Sequence, residues 1–180
     1  MAIQHPLKWC LFVSLVLFST AGCKWGSIGY NTGFKPTQPL PFSHKLHAGD
    51  NKIPCLYCHT QVESAKHSAI PALNTCMNCH QMVAIDKPAI KQLQEKYFNG
   101  ETIEWVKVHM LPDFVKFNHR AHVHRFSQPE DRFVACQKCH GDVKQMDVIE
   151  QINSLSMGWC MDCHRQSQPQ GPQNCSTCHN

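Results

Sequence analysis

The chain has 180 residues, of which 42% are hydrophobic and 17% charged, with a formal net charge of +4. It is too apolar for a disordered chain, and a mean hydropathy of −0.35 excludes a polytopic membrane protein. It holds 12 Cys and 13 His against 9 Phe, 4 Trp and 3 Tyr, so aromatic side chains alone would make a thin core.

The N-terminus reads as an export signal. His5 and Lys8 precede an apolar run from Trp9 to Phe18. That run falls well short of the roughly 20 residues of a membrane span and suits a signal sequence. Ala21-Gly22-Cys23 has the form of a lipoprotein processing site, although Thr20 departs from the usual Leu. Residues 1–22 are therefore expected to be removed and Cys23 acylated, with ordinary cleavage or an uncleaved anchor as the other outcomes. A multiply acylated Cys holds a protein on a membrane surface. The expected location is outside the cytoplasm, on the periplasmic face of a bacterial membrane. Residues 23–41, with Pro36, Pro39 and Pro41, read as an extended tether.

Ten of the 12 Cys fall in five C-x-x-C-H motifs. They are Cys55/Cys58/His59, Cys76/Cys79/His80, Cys136/Cys139/His140, Cys160/Cys163/His164 and Cys175/Cys178/His179. Each is the attachment signature of a c-type haem. Two thiols add to the vinyl groups of one porphyrin, and the adjacent His becomes the proximal iron ligand. A disulfide framework would not need His after every second Cys. Zinc ribbons need two C-x-x-C pairs per metal, and five is odd. The expected cofactors are five c-type haems (iron). Their propionates offset the basic excess, so the charge makes no case for nucleic acid.

The chain repeats itself. Phe42-x-His44-x-x-His47 and Phe117-x-His119-x-x-His122 each precede a pair of haem motifs. Residues 42–80 and 117–164 thus read as two di-haem modules, and 165–180 as a loop with a fifth haem. The polar run 166–174 is expected to carry that haem away from the second module. Residues 81–116 form a haem-free insert. Asp86 before Lys87-Pro88 predicts a helix N-cap, and Asn99-Gly100 its stop. Residues 104–109 alternate like a short strand, and 143–154 is expected to be helical. The fold class is mostly α and coil with few short strands, around a core of haems.

The sixth iron ligand decides the chemistry. In H-x-x-H the two imidazoles share one face of a helical turn, so they serve neighbouring irons. His44, His47, His119 and His122 are thus candidate distal ligands. His67, His109 and Met157 are candidates for the remaining position, and His124 is read as a surface residue. With every sixth position filled, the chain moves electrons and has no catalytic residue. Bis-His ligation gives lower potentials than His/Met.

The linking phrases carry a resemblance. Pro41-Phe42-Ser43-His44-Lys45-Leu46-His47-Ala48-Gly49, Glu104-Trp105-Val106-Lys107-Val108-His109 and Leu155-Ser156-Met157-Gly158-Trp159 sit between the motifs. With the five motifs they resemble the pentahaem cytochrome c subunit of bacterial alternative complex III, over about Gly29 to His179. The resemblance implies a membrane quinol-oxidising complex in which an iron–sulfur subunit feeds this haem chain. It also implies a periplasmic cytochrome c or terminal oxidase as acceptor. A stand-alone lipoprotein shuttle and a subunit of a molybdopterin-type oxidoreductase share the same motifs. A multihaem reductase needs an open iron, often marked by C-x-x-C-K, and the sequence has none.

Overall fold

The computed structural model describes residues 31–128 and 130–179. The leader and Cys23 lie outside the described residues. Short helices alternate with long coil. The few short strands expected reduce, among the described residues, to one antiparallel bridge between Val115 and His179. No helix among the described residues is long and apolar enough to cross a membrane.

The two cysteines of every C-x-x-C-H motif sit in a helix, whereas His59 and His179 lie just beyond theirs. A π-helical turn, Lys45–Asp50, is followed by α1 (Cys55–Cys58), α2 (Leu73–His80) and α3 (Pro88–Phe98). Then come α4 (His119–Phe126), α5 (Phe133–His140), a 3-10 turn (Val143–Gln145), α6 (Met157–Gln166) and α7 (Cys175–Cys178). Helical winding puts the first and second Cys of a motif one turn apart on the same face, as two thioethers to one ring require.

The insert departs from expectation in two places. Helix α3 starts one residue later than predicted: Lys87, with extended backbone, is the cap and Pro88 the first helical residue. The residue before proline is sterically kept from helical geometry, which excludes Asp86 as the cap. The C-terminal stop is where Asn99-Gly100 placed it, with Gly100 at φ 68°. Residues 104–109 form no strand. Instead the Gln38 side chain donates to the Val106 carbonyl at 3.0 Å and accepts from the Val106 amide at 2.9 Å. One primary amide thus does for Val106 what a neighbouring strand would do.

That contact also changes the reading of the tether. Gly33 and Gln151 are joined by backbone hydrogen bonds, Gly33 N to Gln151 O at 2.8 Å and Gln151 N to Phe34 O at 3.1 Å. Leu40 is buried with Met77, Leu93 and Ile103, and Tyr97 and Trp105 pack against them. Residues 33–41 are therefore a strap across the molecule. Nine apolar side chains are buried among the described residues, too few for a chain of this size to rest on alone.

The 143–154 stretch is coil after its 3-10 turn. Asn153 Nδ2 donates to the Lys138 and Cys139 carbonyls, closing the end of α5. Buried Gln151 donates to Asn153 O and Ser154 O. Side-chain amides, not a helical ladder, satisfy this backbone. Ser156 then caps α6, its hydroxyl accepting from Trp159 N at 3.2 Å. Ser156→Ala should cost about 1 kcal/mol, read as a lower thermal midpoint with all haem retained.

The two repeats meet reciprocally. The turn carrying His44 and His47 docks on the loop after α5, through Lys45 N to Met146 O at 2.9 Å and Ser43 Oγ to Asp147 at 2.8 Å. A Cβ on Gly49 would lie 2.3 Å from Lys144 O, so only glycine permits this approach. In return, the helix carrying His119 and His122 docks on the loop after α1, through His119 N to Lys66 O at 3.1 Å. The run 166–174, read as carrying the last motif away, turns back: Lys116 N donates to Cys178 O at 2.7 Å.

Candidate metal centre

Phe42 and Phe117 set the distal histidines in the same way in both copies. Phe42 stacks on His47 at 4.4 Å and 22° and stands edge-on to His44 at 4.9 Å and 87°. Phe117 stacks on His122 at 4.5 Å and 27° and stands edge-on to His119 at 4.8 Å and 90°. One aromatic ring thus contacts both imidazoles of H-x-x-H, face to face with the second and edge-on to the first. The repeated Phe was visible in the sequence; its positioning role was not.

The structure brings candidate distal rings opposite motif rings. His119 and His140 lie parallel (4°) with centroids 6.5 Å apart. His122 and His164 are 6.1 Å apart at 26°, and His47 and His80 are 6.1 Å apart at 67°. Two imidazoles bound to opposite sides of one metal at about 2 Å place their centroids about 6 Å apart. By the repeat, His44 matches His119 and so belongs with His59. His59 is among the neighbours that act on His44.

The motif thiols do not all lie inside. Cys79 is exposed on α2, as are Cys163 on α6 and Cys175 at the start of α7, whereas the other seven are partly buried. In α2 the buried residue is Met77, 1% exposed, with Cys76 packed against its cluster. Cys79 follows Met77 by two residues, which is about 200° around a helix, so it faces away from that cluster. Apolar packing on the Met77 side therefore sets the helix and leaves Cys79 on the open side. A thioether joins the edge of a ring, so exposure of Cys79 is compatible with attachment and burial is not what marks it.

Tautomers agree with ligation through Nε2. The Nδ1 atoms of His47, His59, His80, His119, His122 and His164 each bond a backbone carbonyl, at 2.7–3.0 Å. A carbonyl only accepts, so Nδ1 carries the proton, and Nε2 of the neutral ring keeps its lone pair for a metal. Two acceptors lie at left-handed alanines: Ala69 (φ 51°) offers its own carbonyl, and Ala84 (φ 56°) follows Val83, which offers the other. Such backbone is held only where its surroundings over-determine it.

Electrostatics favour neutral rings. Burial, then the neighbouring His109, His119, His59 and His44, holds His140 down to about 3. Burial, then His59 and His47, holds His44 down to about 4. Burial pushes the Cys139 thiol up to about 11, with Cys163 and Cys160 adding to it. The Cys55 thiol is lowered to about 6, chiefly by the neighbouring Cys136 thiol.

The remaining candidates separate. His109 is edge-on to His140 at 4.3 Å, too close for a metal between them, and its Nε2 is buried without a partner. His67 is exposed and among the groups that act on His119. Met157 is 64% exposed at the start of α6. His179 has Phe114 as its ring neighbour at 5.9 Å. None of the three was placed by geometry opposite His179. His124 is exposed and its Nε2 bonds Glu63 O, in keeping with a surface residue.

These residues fit c-type haem. Among the described residues no three His, Cys, Asp or Glu converge as an all-protein metal site requires. The set is instead two thiols and an imidazole per motif, with a second imidazole facing three of the motif rings. Exposed apolar side chains flank the motifs, among them Leu46, Tyr57, Ile70, Phe114 and Ile152. A porphyrin face would cover such side chains.

Residues 115–180 match the family described as cytochrome c7 and related cytochrome c. The chain is also 28% identical over 190 residues to the menaquinone reductase, multiheme cytochrome c subunit, of Nitratidesulfovibrio vulgaris, covering 93% of this chain and 88% of that protein. Both similarities are to proteins described as cytochromes c, and the first spans the last three of the five motifs.

Proposed function

We propose that this chain is a pentahaem c-type cytochrome that carries electrons as a subunit of a membrane quinone oxidoreductase. The observation that carries it is the opposed imidazole pairs, His47/His80, His119/His140 and His122/His164, with Nδ1 held by carbonyls. Haem supplies one-electron chemistry when bound. The chain would hold each ring by two thioethers and a proximal His, and would set a second imidazole at the irons of His59, His80, His140 and His164. The assigned covalent ligands are Cys55/Cys58, Cys76/Cys79, Cys136/Cys139, Cys160/Cys163 and Cys175/Cys178. Proximal ligands are His59, His80, His140, His164 and His179. Distal ligands are His44, His47, His119 and His122, with His67, His109 and Met157 as candidates for the fifth iron.

Acylated Cys23 would hold the protein on the periplasmic face. The alternative complex III resemblance favours electrons leaving quinol, through an iron–sulfur subunit, for a periplasmic cytochrome or terminal oxidase. The relative's name favours a second reading, in which electrons run toward menaquinone. Purification in mild detergent should bring polytopic subunits with the cytochrome. Adding a menaquinol analogue to that complex should reduce the haems in the first reading. In the second, menaquinone should oxidise the pre-reduced haems. A lone cytochrome inert to both sinks the proposal.

Carbon monoxide gives a further test. With protein ligands on both sides of every iron, the reduced protein should bind less than one carbon monoxide per chain. Stoichiometric binding at one haem would expose an open iron and restore the reductase reading.

A further inference from the structure

The reciprocal docking of the repeats fixes an order that the chain does not follow. Each module's H-x-x-H turn leans on the loop behind the other module's first motif: Lys45 on Met146, and His119 on Lys66. The arrangement is close to a two-fold exchange. In such an exchange equivalent elements meet at the axis, and the elements that meet are the first motifs. Arg132, at the start of the helix that carries the second module's first motif, pairs with Glu63 in the loop after the first module's first motif, and the Cys55 and Cys136 thiols, equivalent in the repeat, act on each other electrostatically. His59 is also among the neighbours of both His140 and His119. The second motifs then fall outward. His44 and His47 share one turn and tie the first module's two sites side by side, as His119 and His122 do in the second. Beyond the His164 site, Cys178 lies near Cys160.

The insert traces the same line. It leaves α2 at His80. Trp105 lies 6.4 Å from Phe42, which stacks on His47. His109 lies against His140. Val115 bridges to His179, and Lys116 binds Cys178. From Ile103, packed beside Met77 and Cys76, to Lys116 the insert thus passes the His80, His140 and His179 sites in that order.

We infer that the five haem sites form a line in the order His80, His59, His140, His164, His179, so that the second and fifth motifs are its ends. Electrons entering or leaving by a partner do so at those two ends, and the His59 and His140 haems form the junction between the modules. This rests on the pentahaem reading and adds the order and the terminal sites.

Removing single haems reads the order. The double variant Cys55→Ser/Cys58→Ser should leave the His80 haem magnetically isolated, a sharp uncoupled low-spin signal in electron paramagnetic resonance beside a coupled set of three. Cys76→Ser/Cys79→Ser should leave four coupled haems and no isolated one. If the order followed the chain, the second variant would isolate the His59 haem and the first would not isolate any. That outcome, or isolation in neither variant, overturns the line. Should the variants fail to fold, nuclear magnetic resonance of the intact protein decides. Methyl cross-peaks should join the His59 and His140 haems; cross-peaks joining the His80 and His140 haems instead would overturn the order. Absence of covalent haem altogether would defeat the pentahaem reading, a result distinct from a wrong order.

Discussion

His119→Ala should leave one haem five-coordinate and high-spin, with covalent attachment unchanged. His119 reaches the His140 site from the parallel position at 6.5 Å. It is held by Phe117 on its edge and by Lys66 O, which its Nδ1–H meets at 2.8 Å. Attachment depends on Cys136, Cys139 and His140, which the substitution does not touch. The variant should also bind one carbon monoxide per chain when reduced. His119→Met should keep that iron low-spin while raising its potential, since a thioether favours the reduced metal. A wild-type spectrum for His119→Ala would contradict the assignment of His119 to this iron.

Gly49→Ala should be the most damaging single change outside the metal centre. Its Cβ would stand 2.3 Å from a backbone oxygen, Lys144 O, which cannot swing aside as a side-chain tip could. Either the two repeats separate or the turn carrying His44 and His47 deforms. Overpacking of this kind costs about 2 kcal/mol or more. For a chain of this size that lowers the thermal midpoint by roughly 4–8 °C. Because Lys45 N and Ser43 hold the same junction, the low-spin signal of the His59 haem should shift as well. Gly158→Ala is the control: its Cβ would meet only Ser156 Oγ, at 4.0 Å. That change should be neutral or slightly stabilising in helix α6.

The local chemistry was legible in the sequence because it is covalent and short in range. C-x-x-C-H needs both thiols and the imidazole on one ring, so the spacing itself is the site. H-x-x-H likewise announces two imidazoles on one turn, and both copies show that geometry. Helix α3 followed from Pro88 and the Asn99-Gly100 stop, and its start was displaced only by the conformational limit that Pro88 puts on Lys87.

What could not be read was set by distant segments. Alternation at 104–109 suggested a strand, but Gln38 supplies the hydrogen bonds from 68 residues away. The run 143–154 suggested a helix, but Gln151 and Asn153 take its carbonyls and those of α5. Residues 33–41 looked like a tether because their prolines say extended and nothing says packed; Leu40 and the Gly33–Gln151 pair pack them. The exposure of Cys79 follows from the burial of Met77 against Leu40, Leu93 and Ile103, and a motif does not state which of its faces the rest of the chain covers. The order of the sites depends on how two copies of one pattern meet, and a repeat within a single chain does not state that either.

The number of covalent haems tests the account most directly. Intact-mass spectrometry of the protein, produced in cells that mature c-type cytochromes, should show the polypeptide plus five haems. Every C-x-x-C-H motif should yield a haem-bearing peptide after digestion. A mass with fewer haems, or with the motif cysteines present as free thiols or disulfides, would contradict the account at its base.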